Sequence, residues 1–248
     1  MKISGVIITY NEESCIQRCI ESMLPVVDEI VVVDSFSTDK TQEICEKLNV
    51  KFIQNKFEGH IQQKNFAMSQ AANDWVLSLD ADEQLTPELQ QSIKHVKENG
   101  VGETTGFWMN RLNNYCGTWL KHGGWYPDKK IRLWDRRKGN WQGNNPHDFV
   151  TMQEGQLESK LKGDLLHYTY DTLRDHIAQC EKFAEIGGKA AIAKGKKTNA
   201  FMVYGKPVGK FVTDYFFKLG LLDGKAGFNA AKYSAYEKYL RYKIILKG

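Results

Sequence analysis

The sequence predicts an α/β protein: a mostly parallel sheet covered on both faces, a small mixed lobe, then a helical C-terminal extension. Three observations carry this. Short β-branched runs alternate with amphipathic stretches through the first third, which is the pattern of buried parallel strands joined by helices. The composition then shifts, with Trp108, Trp119, Trp125, Trp134 and Trp141 crowded among Gly and Asn. Beyond Tyr170, apolar residues recur at steps of three and four, a helical period.

Taken in order, residues 2–9 read as a buried strand, and Ile16, Cys19, Ile20 and Met23 mark a helix over about 13–24. Residues 29–34 form a second apolar strand, followed by Ser35, Ser37, Thr38 and Asp39, all good helix caps. Ile44, Cys45 and Leu48 share one helix face, a strand lies near 50–53, and 61–72 is helical. Residues 75–79 are the fourth strand, and Thr86-Pro87-Glu88 places a capping Thr before Pro at the first helical position. Residues 107–149 suit short strands and long loops. Leu173, Ile177, Cys180 and Ala184 open the helical part; Val208, Phe211, Val212, Tyr215, Phe216, Leu219 and Leu222 then form one continuous apolar stripe, and Ala231, Ala235, Tyr239 and Tyr242 line a later helix. The expected division is a domain at 1–170, with halves at about 1–100 and 101–170, and an extension at 171–248.

The chain has 248 residues, 42% hydrophobic and 26% charged, with net charge +4, an ordinary globular balance that does not point to nucleic acid. The charge is split: residues 186–248 carry 13 Lys and Arg against 3 Asp and Glu, so a basic tail follows an acidic body. No run approaches the ~18 apolar residues of a spanning helix. The apolar start is interrupted by Asn11, Glu12 and Glu13, unlike a signal peptide. Five cysteines without a CxxC pair argue for reduced thiols and a cytoplasmic setting.

The informative polar residues fall at strand ends: Thr9 to Glu12, Asp34, and Asp80 to Glu83. Ligands of open α/β sheets gather there. Asp80-Ala81-Asp82 places two carboxylates on one side of an extended chain. Mg²⁺ takes one or two carboxylates and completes its shell from phosphates and water; an acidic loop before a helix is the plainer alternative. The GxGxxG turn of dinucleotide sites is absent after the first strand. Tyr10 can instead stack on a nucleoside and Thr9 hydrogen-bond to it, while Asp34 either accepts from a base or ribose or caps the next helix.

Val6-Ile7-Ile8-Thr9-Tyr10-Asn11-Glu12-Glu13, Val33-Asp34-Ser35-Phe36-Ser37-Thr38-Asp39 and Asp80-Ala81-Asp82-Glu83 resemble, in this order and spacing, the family 2 glycosyltransferases of GT-A fold. Further along, Gly123-Gly124-Trp125-Tyr126-Pro127-Asp128, Ile131-Arg132-Leu133-Trp134, Pro146-His147-Asp148 and Leu221-Leu222-Asp223-Gly224-Lys225-Ala226-Gly227-Phe228 are similar to the lipopolysaccharide-core β-glucosyltransferase-like branch. The resemblance implies that Thr9, Tyr10, Glu12 and Asp34 hold uridine, that Lys64 lies near the diphosphate, that Asp80 meets the ribose or a metal-bound water, and that Asp82 ligates Mg²⁺ or Mn²⁺. In this sequence Phe36 and Lys40 stand where the family usually has glycine, and Asp148 stands where the branch usually has glutamate.

Transfer to a hydroxyl needs a general base, for which Asp148 is the first candidate and Asp128 the second. Trp125, Tyr126, Arg132 and His147 are candidates for the acceptor side; Arg132 either binds an acceptor phosphate or carboxylate or pairs with a neighbouring acid, and His147 either orients Asp148 or contacts the acceptor. Trp119 and Trp141 have the same two readings, sugar stacking or packing. The resulting expectation is inverting, non-processive transfer of a hexose, glucose first, from a UDP-sugar to a lipopolysaccharide-type or other lipid-linked glycan. The Gln-x-x-Arg-Trp motif of processive members is absent. The basic helices suggest peripheral contact with anionic lipid on the inner face of the cytoplasmic membrane, with packing against the domain or another subunit as the alternative. Rival classes are a nucleotidyltransferase acting on sugar phosphates and a non-catalytic nucleotide-sugar-binding module.

Overall fold

The computed structural model describes residues 1–144 and 147–247, and of His147 the backbone only. The described residues divide into two compact units: Met1–Arg111 with Lys129–His167, and Leu112–Asp128 with the C-terminal part from Tyr168 onward. The second unit thus takes in a segment, Leu112–Asp128, that an expected boundary at 170 leaves with the first domain.

In the first unit, β1 (Ile3–Thr9), β2 (Glu29–Asp34), β3 (Lys51–Gln54) and β4 (Trp75–Asp80) stand in the order β3-β2-β1-β4, all parallel. They are interleaved with α1 (Ile16–Met23), α2 (Thr41–Lys47) and α3 (His60–Ser69). Alternation along each strand explains the two-faced burial. Ile3, Ile7, Val32, Leu77 and Leu79 enter a core with Ile16, Cys19, Ile20 and Met23 of α1. Val6, Val31, Val33 and Val76 enter another with Ala67 and Met68 of α3. This is the α/β architecture that the resemblance implied.

After β4 come β5 (Glu83–Leu85) and α4 (Pro87–Asn99); as expected, Pro87 opens α4 and Thr86 caps it, its hydroxyl accepting from the Leu89 N–H at 3.3 Å. Residues 107–149, expected to hold short strands, take in most of a long one, β6 (Thr104–Tyr115), besides β7 (Thr118–Leu120), β8 (Asp128–Asp135), β9 (Gly139–Asn144) and the start of β10 (His147–Met152), and a second long strand, β11 (Leu157–Tyr170), follows. β8 joins the parallel set antiparallel to β4, β5 pairs with β11, and β9 and β10 form a separate hairpin. β11 runs so close to α4 that a Cβ at Gly163 would sit 2.4 Å from the Leu89 nitrogen.

The departure at Phe36 has a backbone consequence. Its φ is 64°, a left-handed conformation that costs an L-residue about 1–2 kcal/mol, whereas Lys40 has an ordinary φ of −83° and no need of glycine. Phe36 is exposed, so its ring contributes little burial. Phe36→Gly is expected to raise stability by about 0.5 kcal/mol, readable as a higher urea midpoint at unchanged m-value; a lower midpoint would show that the ring packs usefully.

In the second unit, α5 (Leu173–Ala193) starts at a capping box made by Thr172 and Asp175. The stripe from Val208 to Leu222 is not one helix. α6 (Ala200–Val212) passes into a π-helical turn at Thr213–Phe217, Leu219 adopts a left-handed φ of 60°, and a 3₁₀ turn at Gly220–Asp223 leads into α7 (Gly224–Lys247). A Cβ at Gly227 would lie 1.9 Å from the Gly220 carbonyl oxygen, so the 3₁₀ turn and the first turn of α7 meet backbone to backbone, a contact that a side chain at 227 would block. Among the described residues, no helix is long and apolar enough to cross a membrane.

His176 on α5 is buried among Tyr115, Trp125, Tyr170 and Tyr233, with its Nδ1 2.7 Å from the Tyr115 hydroxyl. Burial lowers its pKa to about 4. The folded state therefore binds the proton more weakly than the unfolded chain, whose histidine titrates near ~6.5. Stability is expected to fall as pH drops from about 6.5 to about 4, by roughly 3 kcal/mol in all. Urea midpoints for the protein and its His176→Gln variant across this range check it; equal slopes for both would place the acid sensitivity elsewhere.

Candidate functional site

The parallel register brings the polar strand ends together: Thr9 pairs with Asp34, and Ile8 with Asp80. The loops after β1 and β2 are stitched to each other. The Asn11 N–H donates to Ser37 Oγ at 2.8 Å, the Thr38 N–H to Asn11 Oδ1 at 2.8 Å, and the Glu12 N–H to Thr41 Oγ1 at 2.9 Å. Asp34 is fully buried, and its carboxylate accepts from the backbone N–H and hydroxyl of Ser37, so in this state it shapes the loop. Tyr10, next to Thr9 in sequence, stands exposed. Thr9 Oγ1 is buried with no hydrogen-bond partner, a cost of about 1–3 kcal/mol that a ligand hydrogen bond would remove.

Beyond β4 lies a chain of paired charges. Lys64, on α3 and only 5% exposed, reaches Asp80 Oδ1 and Asp148 Oδ2, each at 2.7 Å. Arg132, on β8 and 3% exposed, donates through Nη2 to Asp80 Oδ2 at 2.8 Å and to Glu83 Oε1 at 2.7 Å. Arg111 Nη1 also meets Glu83 Oε1, at 3.2 Å, and Glu83 Oε2 accepts the Asp80 N–H at 3.1 Å. The Trp141 ring, from β9, lies 4.1 Å from the Lys64 nitrogen and 5.2 Å from the Arg132 guanidinium carbon, near enough for cation–π attraction. His167 Nε2, at the end of β11, stands 3.2 Å from Asp82 Oδ2.

Burial opposes the charge on Asp80, but Lys64 and Arg132 outweigh it and hold the carboxyl well below the usual carboxylate range. The pairing therefore stabilises the fold above about pH 4 and is lost only as pH falls further; near neutrality Asp80 does not titrate. Burial likewise opposes the Arg132 charge, and Glu83 and Asp80 keep it in place.

The donor set suits a hard divalent cation held partly by substrate. Asp82 offers carboxylate oxygens on a partly exposed side chain, whereas each oxygen of Asp80 is already held by a cation, though each has a further lone pair. Among the described residues, no group of three or more His, Cys, Asp and Glu is arranged to hold a metal by itself; a diphosphate would supply the missing oxygens.

The structure therefore gathers Lys64, Asp80, Asp82, Arg132 and Asp148 in one unit. Arg132, a candidate for an acceptor anion, is buried in ion pairs with Asp80 and Glu83. Trp125, Tyr126 and Asp128 fall in the second unit. There Trp125 packs edge-on against Tyr115 and His176, and Tyr126 and Asp128 are half-buried. Pro146 and the His147 side chain lie outside the described residues. Glu83, Arg111 and His167 join the site without having been assigned a part in it, and Trp141, read as sugar-stacking or packing, lies against Lys64 and Arg132. A carboxylate directly after Asp82 was the signal available for Glu83; His167 stands inside β11, whose Glu, Lys and Asp residues gave no sign of a strand.

Comparison with known proteins gives four findings. The family model "Glycosyl transferase family 2" matches residues 4–156. The chain is 30% identical over 97% of its length to an uncharacterized glycosyltransferase of Rickettsia typhi, covering 85% of that protein. It is 26% identical over 87% of its length to the lipopolysaccharide core biosynthesis glycosyltransferase LpsC of Rhizobium meliloti, covering 81% of it. Among solved structures it is similar, at TM-score 0.38 and 22% identity, to glucosyl-3-phosphoglycerate synthase from Mycobacterium tuberculosis in complex with Mn²⁺, UDP and glucosyl-3-phosphoglycerate, over 46% of this chain and 44% of that one.

Proposed function

The chain belongs to glycosyltransferase family 2, and from that premise we propose that it transfers a hexose, glucose first among the candidates, from a UDP-sugar to a hydroxyl of a lipopolysaccharide-core or other lipid-linked glycan. Transfer is metal-dependent, inverts the anomeric centre and adds one sugar per encounter. The name of the Rhizobium meliloti relative supports the acceptor class. The observation that carries the reading is the cluster of Asp80, Asp82, Lys64 and Asp148 beyond β4.

Charge counting supports the metal. Asp80, Asp82, Glu83 and Asp148 oppose Lys64, Arg111 and Arg132, which leaves one negative charge with His167 neutral. A diphosphate diester adds two more in a poorly solvated site, where repulsion is strong; a divalent cation cancels them. Asp82 would hold the ion, with Asp80 next to it directly or through water. When bound, the ion offsets the charge that develops on the departing phosphate oxygen. Lys64 supplies a fixed positive charge beside the same carboxylate, Arg132 and Glu83 keep Asp80 oriented, and Thr9 Oγ1 has an unused hydrogen bond for the nucleoside. Asp148 takes the proton of the acceptor hydroxyl. The exposed, lysine-flanked apolar residues of α6 favour acceptors at an anionic membrane surface.

Calorimetric titration with UDP is expected to show at least tenfold tighter binding with Mn²⁺ than with chelator. Metal-independent UDP binding would overturn the charge argument; with a labelled UDP-sugar and pyrophosphate, formation of UTP and sugar 1-phosphate in place of transferred sugar would favour a nucleotidyltransferase.

A further inference from the structure

The C-terminal helices hold a second concentration of charge, which sugar transfer does not use. A cavity of about 440 Å³ opens among α5, the link at 194–199, α6 and α7, and Lys194, Lys196, Lys197, Lys238 and Arg241 stand on its wall. Several other cations of this unit are paired: Lys189 with Glu185, and Lys210 and Lys218 with Asp214. Arg241 shares Glu237. Among the described residues, Lys194, Lys196, Lys197 and Lys238 have no carboxylate partner. Five cations around one hollow, with Glu237 beside Arg241 and Asp214 acting on Lys238, still leave an excess of positive charge that repels itself. Burial first, and then Lys210 and Lys206, push the Lys238 pKa down.

Arg241 is set in place by the fold. Its guanidinium lies against Gly187 of α5, where a Cβ would come within 2.6 Å of Nε. Glycine inside a helix costs roughly 0.5–1 kcal/mol against alanine, and here it makes room for that group. Arg241 Nε is buried without a hydrogen-bond partner, while Nη2 binds Glu237 at 2.8 Å. An arginine fork and several ammonium groups match a phosphoryl group, with three strong acceptor oxygens and a charge near ~−2. The volume lies within the ~300–1,000 Å³ of small-molecule sites, larger than bare phosphate needs. Met202, Tyr242 and Ile245 give the cavity an apolar part that suits carbon.

We propose that this cavity is a binding site for a phosphoryl group carried on an organic skeleton, built from residues other than those of the transfer site. Two sources share that chemistry, a membrane lipid headgroup and a soluble phosphate ester. Met202 follows directly on Phe201, which is 79% exposed, and Tyr204 and Val208 are exposed farther along α6, an arrangement in keeping with the lipid source.

The test uses the full chain with two probes: sn-glycerol 3-phosphate by calorimetry, and co-sedimentation with phosphatidylcholine vesicles with and without phosphatidic acid. Lys238→Gln and the double variant Lys196→Gln, Lys197→Gln, whose sites lie on an exposed link and threaten the fold least, are compared with a double control, Lys232→Gln, Lys243→Gln, outside the cavity wall. Binding of at least one probe is expected to weaken tenfold or more in the cavity variants and less than twofold in the control. Loss of glycerol phosphate binding marks a soluble ester; loss confined to phosphatidic acid vesicles marks a headgroup. Failure of the protein to bind either probe saturably, or equal weakening in cavity and control variants, overturns the proposal. Because no residue of the transfer site is altered, neither result depends on the proposed reaction.

Discussion

Asp82→Ala is expected to lower kcat/KM for sugar transfer by about three orders of magnitude, with almost no change in melting temperature. The two halves of this expectation have separate causes. Asp82 is partly exposed, and its one recorded ion-pair contact is with His167 at 3.2 Å, so truncation strands no buried charge. Asp80→Ala differs, because it removes the shared partner of Lys64 and Arg132, both nearly buried. Breaking such a pair from one side costs about 3–5 kcal/mol, so this variant should lose stability as well as activity. Measuring product from a labelled UDP-sugar across a Mn²⁺ titration, alongside thermal melts, separates the cases. Full activity of Asp82→Ala in the presence of chelator would remove the metal from the proposal.

The comparison of expectation with structure follows the range of the interactions involved. Parallel strands buried on both faces are written as continuous apolar runs, so β1, β2 and β4 were legible to within a residue. Thr86 and Pro87 announced α4 because capping is a local hydrogen bond. The long strands β6 and β11 were not legible: they take their partners from distant parts of the chain, and their Asn, Arg and Lys residues look like loop. The break between α6 and α7 was hidden because a hydrophobic stripe records spacing and not chain direction. The left-handed Leu219 and the backbone contact of Gly220 with Gly227 mark the break and leave no trace in that spacing. Within the site, Asp80 and Asp82 were readable from one strand end. The pairing of Lys64 with Asp148, 84 positions away, and the Trp141 ring beside both Lys64 and Arg132 are products of tertiary packing.

Asp148→Asn tests the step that no metal can perform. Asparagine preserves the shape of the side chain, and its carbonyl oxygen still accepts a hydrogen bond from Lys64, now 2.7 Å from Asp148 Oδ2. It has no basicity, so kcat is expected to fall by roughly 10²–10⁴-fold, while the calorimetric affinity for UDP with Mn²⁺ stays within about twofold. Lys64→Met is expected to weaken donor binding, because it removes the fixed positive charge beside Asp80. Asp128→Asn is the matched control from the second unit: a collapse of kcat there, with Asp148→Asn unaffected, would transfer the role of base to Asp128.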